Sequence, residues 1–179
     1  MNHQFSVKNG NKFLLRKLES KDAKKILEYI NIVGGETDFL LFDSKGLGLS
    51  LAQEEEILDR NFRHPNSLLI GCFIDEEVVA VANLTVKKRV RINHIASIGI
   101  SVKKKYWNQG IGTEILSYFV NYSLNNRQIE IIDLRVRTDN FRAIKIYQNM
   151  GFEMVGTIPK AIKIDDEYYE HYMMIKDVS

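Results

Sequence analysis

The chain has one cysteine, Cys72, and two prolines in 179 residues. A single thiol rules out a disulfide framework and points to a reducing, cytoplasmic setting. Cys72 lies in the apolar run Leu69–Ile74, where a thiol reads as core. No apolar run is long enough to cross a membrane, and residues 1–10 are too polar for a signal peptide. Internal repeats and low-complexity segments are absent too. Charge of one sign is also scarce: the formal net charge is +2. With no stripe of basic and aromatic residues, a nucleic-acid partner is not expected. His3, His64, His171 and Cys72 lack metal-ligand spacing, so no metal is expected. What is plentiful is apolar residues, 45% of the chain, enough for the core of a single domain spanning 1–179.

The most informative stretch runs from Ile98 to Leu116. Ile98 to Val102 is a β-branched run suited to a buried strand. Gly110 to Asn125 carries Ile111, Ile115, Phe119 and Tyr122 at helical spacing. A strand that enters a helix through Gly110-Ile-Gly112 leaves the first helical N–H groups unpaired. Glycine at 110 and 112 lets another molecule approach that backbone without meeting a Cβ. The bare N–H groups and the positive end of the helix dipole make an anion site, most often for phosphate. A phosphate-bearing ligand is therefore expected on Gln109 to Thr113. It is not a P-loop nucleotide, because Thr113-Glu114 replaces the required Lys-Ser/Thr pair. Nor does it match a dinucleotide fingerprint, because Ile115 stands where a third small residue belongs.

A second constellation follows the strand Ile129 to Arg137. Thr138-Asp-Asn140 caps a short helix on which Ala143 and Tyr147 share a face. Gly151 closes that helix in a left-handed conformation, and Phe152 begins the next strand. Together the glycine loop and Asn140-x-x-Ala143-x-x-x-Tyr147-x-x-x-Gly151-Phe152 resemble the GNAT superfamily of acetyl-CoA-dependent N-acetyltransferases, over about Leu68 to Ile175. Tyr106-Trp107 resembles the branch containing ribosomal-protein and polyamine acetyltransferases. Trp107 stands where many family members carry Arg or Gln.

Taken in order, Phe13 to Leu18 reads as a strand, and Ser20 caps a helix that Gly34-Gly35 breaks after Val33. Glu36 to Leu49 is an irregular loop. Ser50-Leu-Ala-Gln53 is a capping box opening a helix that ends near Arg63-His64-Pro65. Leu68–Ile74 and Val78–Val86 form a hairpin about Asp75-Glu76-Glu77, and Ile92 to Val102 is the central strand. Phe152–Ile164 and Tyr168–Lys176 form a last hairpin about Asp165-Asp166. The order β-α-α-β-β-β-α-β-α-β-β implies an α/β (α+β) fold, a mixed and mostly antiparallel sheet with helices on both faces. It is also the order the resemblance implies.

An alkyl amine has a pKa of about 10.4 and must lose a proton before attacking a thioester, whose leaving thiolate then needs a proton or stabilisation. The resemblance implies that the backbone of Ile100, Ser101 and Val102 lies along the cofactor arm of acetyl-CoA. It places the pyrophosphate on Gln109, Gly110, Ile111, Gly112 and Thr113. Asn140 would hydrogen-bond the arm, Ala143 would let it pass, and Tyr147 would act as general acid near the sulfur. For the base, His94 has a suitable imidazole. Glu36, Asp38 and Glu170 are carboxylates able to meet a cationic acceptor. The acceptor expected is an amine, of a small molecule or a protein N-terminus, with no membrane partner; the resemblance also allows a homodimer. The rival reading is a catalytically silent acyl-CoA sensor or interaction module. Asn140 and Tyr147 favour the enzyme, since binding alone requires no proton donor.

Overall fold

A computed structural model describes residues 2–7 and 10–179; part of the 1–10 stretch read above as too polar for a signal peptide thus lies outside the described residues. The chain forms two compact units, one from residues 1–84 and 99–115, the other from 85–98 and 116–179. Eight strands and four α-helices are present among the described residues, in a mixed, mostly antiparallel arrangement. This is the class the sequence implies.

The first unit begins with a hairpin. β1 (Asn2–Ser6) pairs antiparallel with β2 (Lys12–Lys17), with Phe5 opposite Phe13 and their rings 5.5 Å apart. β2 was expected; β1 was not, because NHQFS is short and mostly polar. Its signal is period two: Asn2, Gln4 and Ser6 are exposed while His3 and Phe5 are half-buried, as suits an edge strand. A short 3₁₀ turn over Ser20–Asp22 leads into α1 (Ala23–Glu36).

Helix α1 does not stop at Gly34-Gly35 but runs through both. Gly34 is buried there, and a Cβ built on it would lie 2.0 Å from the Asp43 carbonyl oxygen. The glycine admits the returning 37–49 loop against the helix instead of ending it. That loop is irregular, as expected. Ser50 then opens α2 (Leu51–Arg63) with the expected reciprocal bonds: Gln53 N donates to Ser50 Oγ at 3.3 Å, and Ser50 N donates to Gln53 Oε1 at 2.8 Å.

β3 (Leu68–Ile74) pairs antiparallel with both β2 and β4 (Glu77–Val86). Its turn needs only two residues, Asp75 and Glu76, both at positive φ, with Ile74 opposite Glu77. Such a turn matches the right-handed strand twist. The core of this unit gathers Leu18, Ile26, Tyr29, Leu58 and Phe73. Beneath it, Arg16 makes a forked bond to Asp22, at 2.6 and 2.8 Å, and its guanidinium lies 4.0 Å from the Phe73 ring centroid.

β5 (Ile95–Val102) and α3 (Ile111–Leu124) each contribute residues to both units. β5 is shorter than expected, because Val90–Ile92 forms a 3₁₀ turn. In the second unit, Ile95–Ser97 of β5 pairs parallel with Ile131–Asp133 of β6 (Ile131–Arg137). Buried Asp133 accepts from both Ser97 Oγ and the Lys87 ammonium, fixing that register. After α4 (Phe141–Asn149), β7 (Glu153–Ile164) and β8 (Glu167–Asp177) form the last hairpin. It turns on Asp165-Asp166, both at positive φ, as the sequence indicates. β8 lies between β7 and β6, antiparallel to each.

Candidate active site

The glycine loop sits in the first unit, between β5 and α3. The path out of β5 is braced on several sides. The Trp107 indole N–H donates to the Val102 carbonyl at 2.7 Å, Tyr106 OH donates to Glu77 Oε2 at 2.8 Å, and Lys103 lies 2.7 Å from Glu77 Oε1. Trp107 thus serves as a brace on the end of β5. Asn108 and Gly110 both take positive φ, +62° and +88°, which turns the backbone sharply into α3. A Cβ placed on Gly110 or Gly112 meets nothing within 4 Å. No neighbouring side chain packs where those Cβ atoms would be, so the glycines do not serve internal packing there. The space stands open above the first N–H groups of a helix, the arrangement that receives a phosphate.

The other sequence-predicted residues of this unit have more ordinary occupations. Ser101 turns its hydroxyl to the protein, donating to the Val81 carbonyl at 3.2 Å and accepting from Tyr29 OH at 3.0 Å. Ile100 and Val102 are half-buried and offer backbone. Glu36 accepts from Lys104 N at 2.7 Å, tying the end of α1 to the segment before the glycine loop. Asp38 is exposed on the following loop.

The second unit holds Asn140, Ala143 and Tyr147. Asn140 Oδ1 accepts from Ala143 N at 3.2 Å, the N-cap the sequence implies. This commits the oxygen and leaves the amide N–H₂ as the group able to donate. Gly151, at φ +80°, and Phe152 N, donating to the Tyr147 carbonyl at 3.0 Å, close the helix. The Tyr147 ring lies 5.8 Å from that of Phe152, and its hydroxyl makes no hydrogen bond among the described residues. Burial pushes its pKa up to about 12. At neutral pH the phenol is therefore protonated, suited to give a proton and unsuited to take one.

The two ends of β6 separate the remaining residues. The His94 carbonyl accepts from Glu130 N and Ile131 N at the start of the strand. The Asn140 cap follows the strand's other end, about 20 Å away at ~3.3 Å per residue. Glu170 lies at the Asn140 end, its carbonyl accepting from Thr138 N at 3.0 Å while its side chain is exposed. Beside it is a residue the sequence passed over. His171 pairs across the sheet with Arg137, is 8% exposed, and has no partner for Nε2 among the described residues. Burial, then Arg135 and Arg137, lower its pKa, so the ring is neutral. Arg137 itself holds Asp139 in a forked ion pair and lies against the Tyr169 ring, at 4.3 Å from its centroid. Only burial marks out His171, and one sequence cannot show burial of a single strand residue. No group of three or more metal-ligating side chains occurs among the described residues.

The chain thus presents an open glycine turn on a helix N-terminus in one unit and an Asn-capped helix carrying a protonated tyrosine in the other. The family model described as acetyltransferase (GNAT) family matches residues 40–152, and the chain belongs to that family. The L-amino acid N-acetyltransferase AaaT of Escherichia coli (strain K12) is 33% identical over 108 residues, which span 60% of this chain and 66% of that protein. The chain therefore covers just under two thirds of that relative. Among solved structures, the acetyltransferase of GNAT family from Streptococcus pneumoniae has a TM-score of 0.88 at 28% identity, covering 93% of this chain and 99% of that one. The yncA acetyltransferase of Salmonella typhimurium, solved with its cofactor acetyl-CoA, has a TM-score of 0.79 over 93% of this chain and 94% of its own. At 12% identity that likeness concerns the fold alone.

Proposed function

We propose that the protein, as a single domain over 1–179, moves an acetyl group from acetyl-CoA to the primary amine of a small molecule or a protein N-terminus. The observation that carries this reading is the glycine turn, where Gly110 and Gly112 leave open space over the N-terminus of α3. The residues present fit the cofactor: the turn leads into the first backbone N–H groups of α3, which suit a pyrophosphate, and Lys104 and Lys105 are exposed beside it. When bound, acetyl-CoA supplies an activated thioester. The chain's part is to hold, orient and move protons. Gln109 to Thr113 take the phosphates, and the backbone of Ile100, Ser101 and Val102 receives the arm. Asn140 donates from its amide nitrogen, Ala143 leaves room, and Tyr147 supplies the proton to the departing sulfur.

The base is less well served by His94, which lies at the opposite end of β6 from the Asn140 cap. His171, neutral and at the Asn140 end, is the better-placed proton acceptor of the two. No helix among the described residues is long and apolar enough to cross a membrane. The test is thiol release from acetyl-CoA over a panel of amines. Turnover with an amine supports the reading, whereas tight acetyl-CoA binding without turnover on any amine would favour a silent sensor.

A further inference from the structure

β1 is tied to the chain on both sides of the glycine turn, which its backbone pairing with β2 does not require. His3 and Phe5 alternate with exposed residues and so share one face of that strand. The His3 ring stacks on Phe5 at 6.1 Å, and Phe5 stacks on buried Phe13 at 5.5 Å. Phe13 in turn meets the Tyr106 ring edge-on, with the centroids 6.2 Å apart. Tyr106 stands shortly before Gly110, its hydroxyl fixed on Glu77. A row of rings thus runs from β1 to the approach of the turn. On the turn's other side, His3 Nε2 lies 2.8 Å from Oε1 of Glu114, in the first turn of α3. All of these residues belong to the first unit.

The Glu114 carboxylate gives that last contact its meaning. Glu114 N donates to the Gly110 carbonyl at 2.9 Å, so the residue sits one helical turn above the glycine, about 6 Å along the axis. Side chains on a helix lean toward its N-terminus. Left to itself, the carboxylate would lean toward the first N–H groups of α3, where the helix dipole also draws an anion. There it would face the phosphates as a like charge and compete with them for the same donors. Instead, among the described residues, the His3 ring is its one hydrogen-bond partner. A half-exposed pair of this kind adds little to stability, so fastening β1 is a weak account of it. What the bond does fix is where a negative charge stands beside an anion site.

We propose that His3 is a positioning residue for the cofactor: it holds the Glu114 carboxylate on β1 and so keeps that charge off the phosphates of coenzyme A. The stacked rings of Phe5 and Phe13 set the imidazole in place for this. Docking of β1 and affinity for the cofactor are then linked, since whatever lifts the strand releases the carboxylate. The proposal rests on the acetyl-CoA reading of the glycine turn, so its test is read by binding, independent of turnover.

Calorimetry on the full chain, with coenzyme A as the probe at low ionic strength, compares the wild type with variants of the pair. His3→Ala should weaken binding about three- to tenfold, the size expected where one exposed charge opposes another. His3→Gln, whose amide can still donate to Glu114, should stay within about twofold of the wild type. Glu114→Gln should bind at least as tightly as the wild type. Adding His3→Ala to Glu114→Gln should then change affinity by less than about twofold, because the histidine acts only through the carboxylate. At about 1 M salt, where charges are screened beyond about 3 Å, the His3→Ala deficit should shrink to about twofold or less. The proposal is overturned if His3→Ala binds coenzyme A like the wild type, if His3→Gln is as weak as His3→Ala, or if Glu114→Gln weakens binding. A deficit that survives in the double variant or at high salt also overturns it, since packing would then be the histidine's role. So does a His3→Ala protein that fails to fold, because a half-exposed charge pair cannot carry the fold. Coenzyme A bound by neither wild type nor variants would remove the cofactor reading and this proposal with it. Wild-type binding that is indifferent to His3 would remove the proposal alone.

Discussion

At the scale of single residues, the surroundings of a group decide its chemistry. Tyr147 is held protonated at neutral pH, since burial raises its pKa to about 12, and no group among the described residues claims its hydroxyl. Tyr147→Phe keeps the contact with Phe152 and removes only the O–H. If that proton goes to the leaving sulfur, kcat should fall about 10²–10⁴-fold with acetyl-CoA affinity nearly unchanged. Loss of less than about twofold would assign the ring to packing. Asp22 shows the opposite balance. Burial raises its pKa, but the Arg16 hydrogen bonds, the Glu19 N–H and the Arg16 charge outweigh that and leave it lowered. A lowered folded-state pKa gives stability that is present above the unfolded carboxylate's range and lost as pH falls through the folded value. Asp22→Asn should therefore cost about 2–4 kcal/mol at neutral pH. Urea melts of both proteins should converge below the ordinary carboxylate range; a gap that persists in acid would mean that packing, not charge, holds the pair.

Elements were legible in the sequence wherever a local rule coincided with the tertiary one. The Ser50–Gln53 capping box, the Asp75-Glu76 and Asp165-Asp166 turns and the Gly151 cap all act within a few residues, and each stands where the pattern puts it. α1 ran on past Gly34 because the reason for that glycine lies nine residues away, at the Asp43 carbonyl. β1 escaped because an edge strand needs little apolar character. The glycine turn and the Asn140 cap were readable as motifs. His171 was not, because its distinction is burial without a partner, and only packing reveals it. The Gly34 case sets two principles against each other. Gly34→Ala should stabilise a helix interior by about 1 kcal/mol on propensity alone. The Cβ, however, would stand 2.0 Å from the Asp43 oxygen, and overpacking typically costs about 1–3 kcal/mol or more. With a backbone atom that close the cost belongs at the upper end of that range, so packing should win, giving a net loss of about 2 kcal/mol or more in chemical denaturation. A more stable variant would show that the 37–49 loop yields freely.

For the whole molecule, the question is how a ligand bound at one short turn reports on the stability of 179 residues. Neither compact unit is a continuous segment, since the chain passes from one to the other within β4, within β5 and again within α3. The glycine turn lies on the stretch between the last two passages. Anything that binds the native turn and not the unfolded chain stabilises by mass action, about 2.7 kcal/mol at a hundred times Kd. For a chain of this length that corresponds to a rise in melting temperature of about 5–10 °C. Gly112→Val is the cleaner way to remove it. Gly110 holds a positive φ that strains any other residue, whereas Gly112 does not, and a Cβ at 112 meets nothing within 4 Å. The variant should melt within about 2 °C of the wild type without ligand, because no contact is lost and a helical valine replaces a helical glycine. If the branched side chain costs about a hundredfold in affinity, the same acetyl-CoA concentration should then raise its melting temperature by only about 1 °C. A full ligand-induced rise in Gly112→Val would move the phosphates away from this turn.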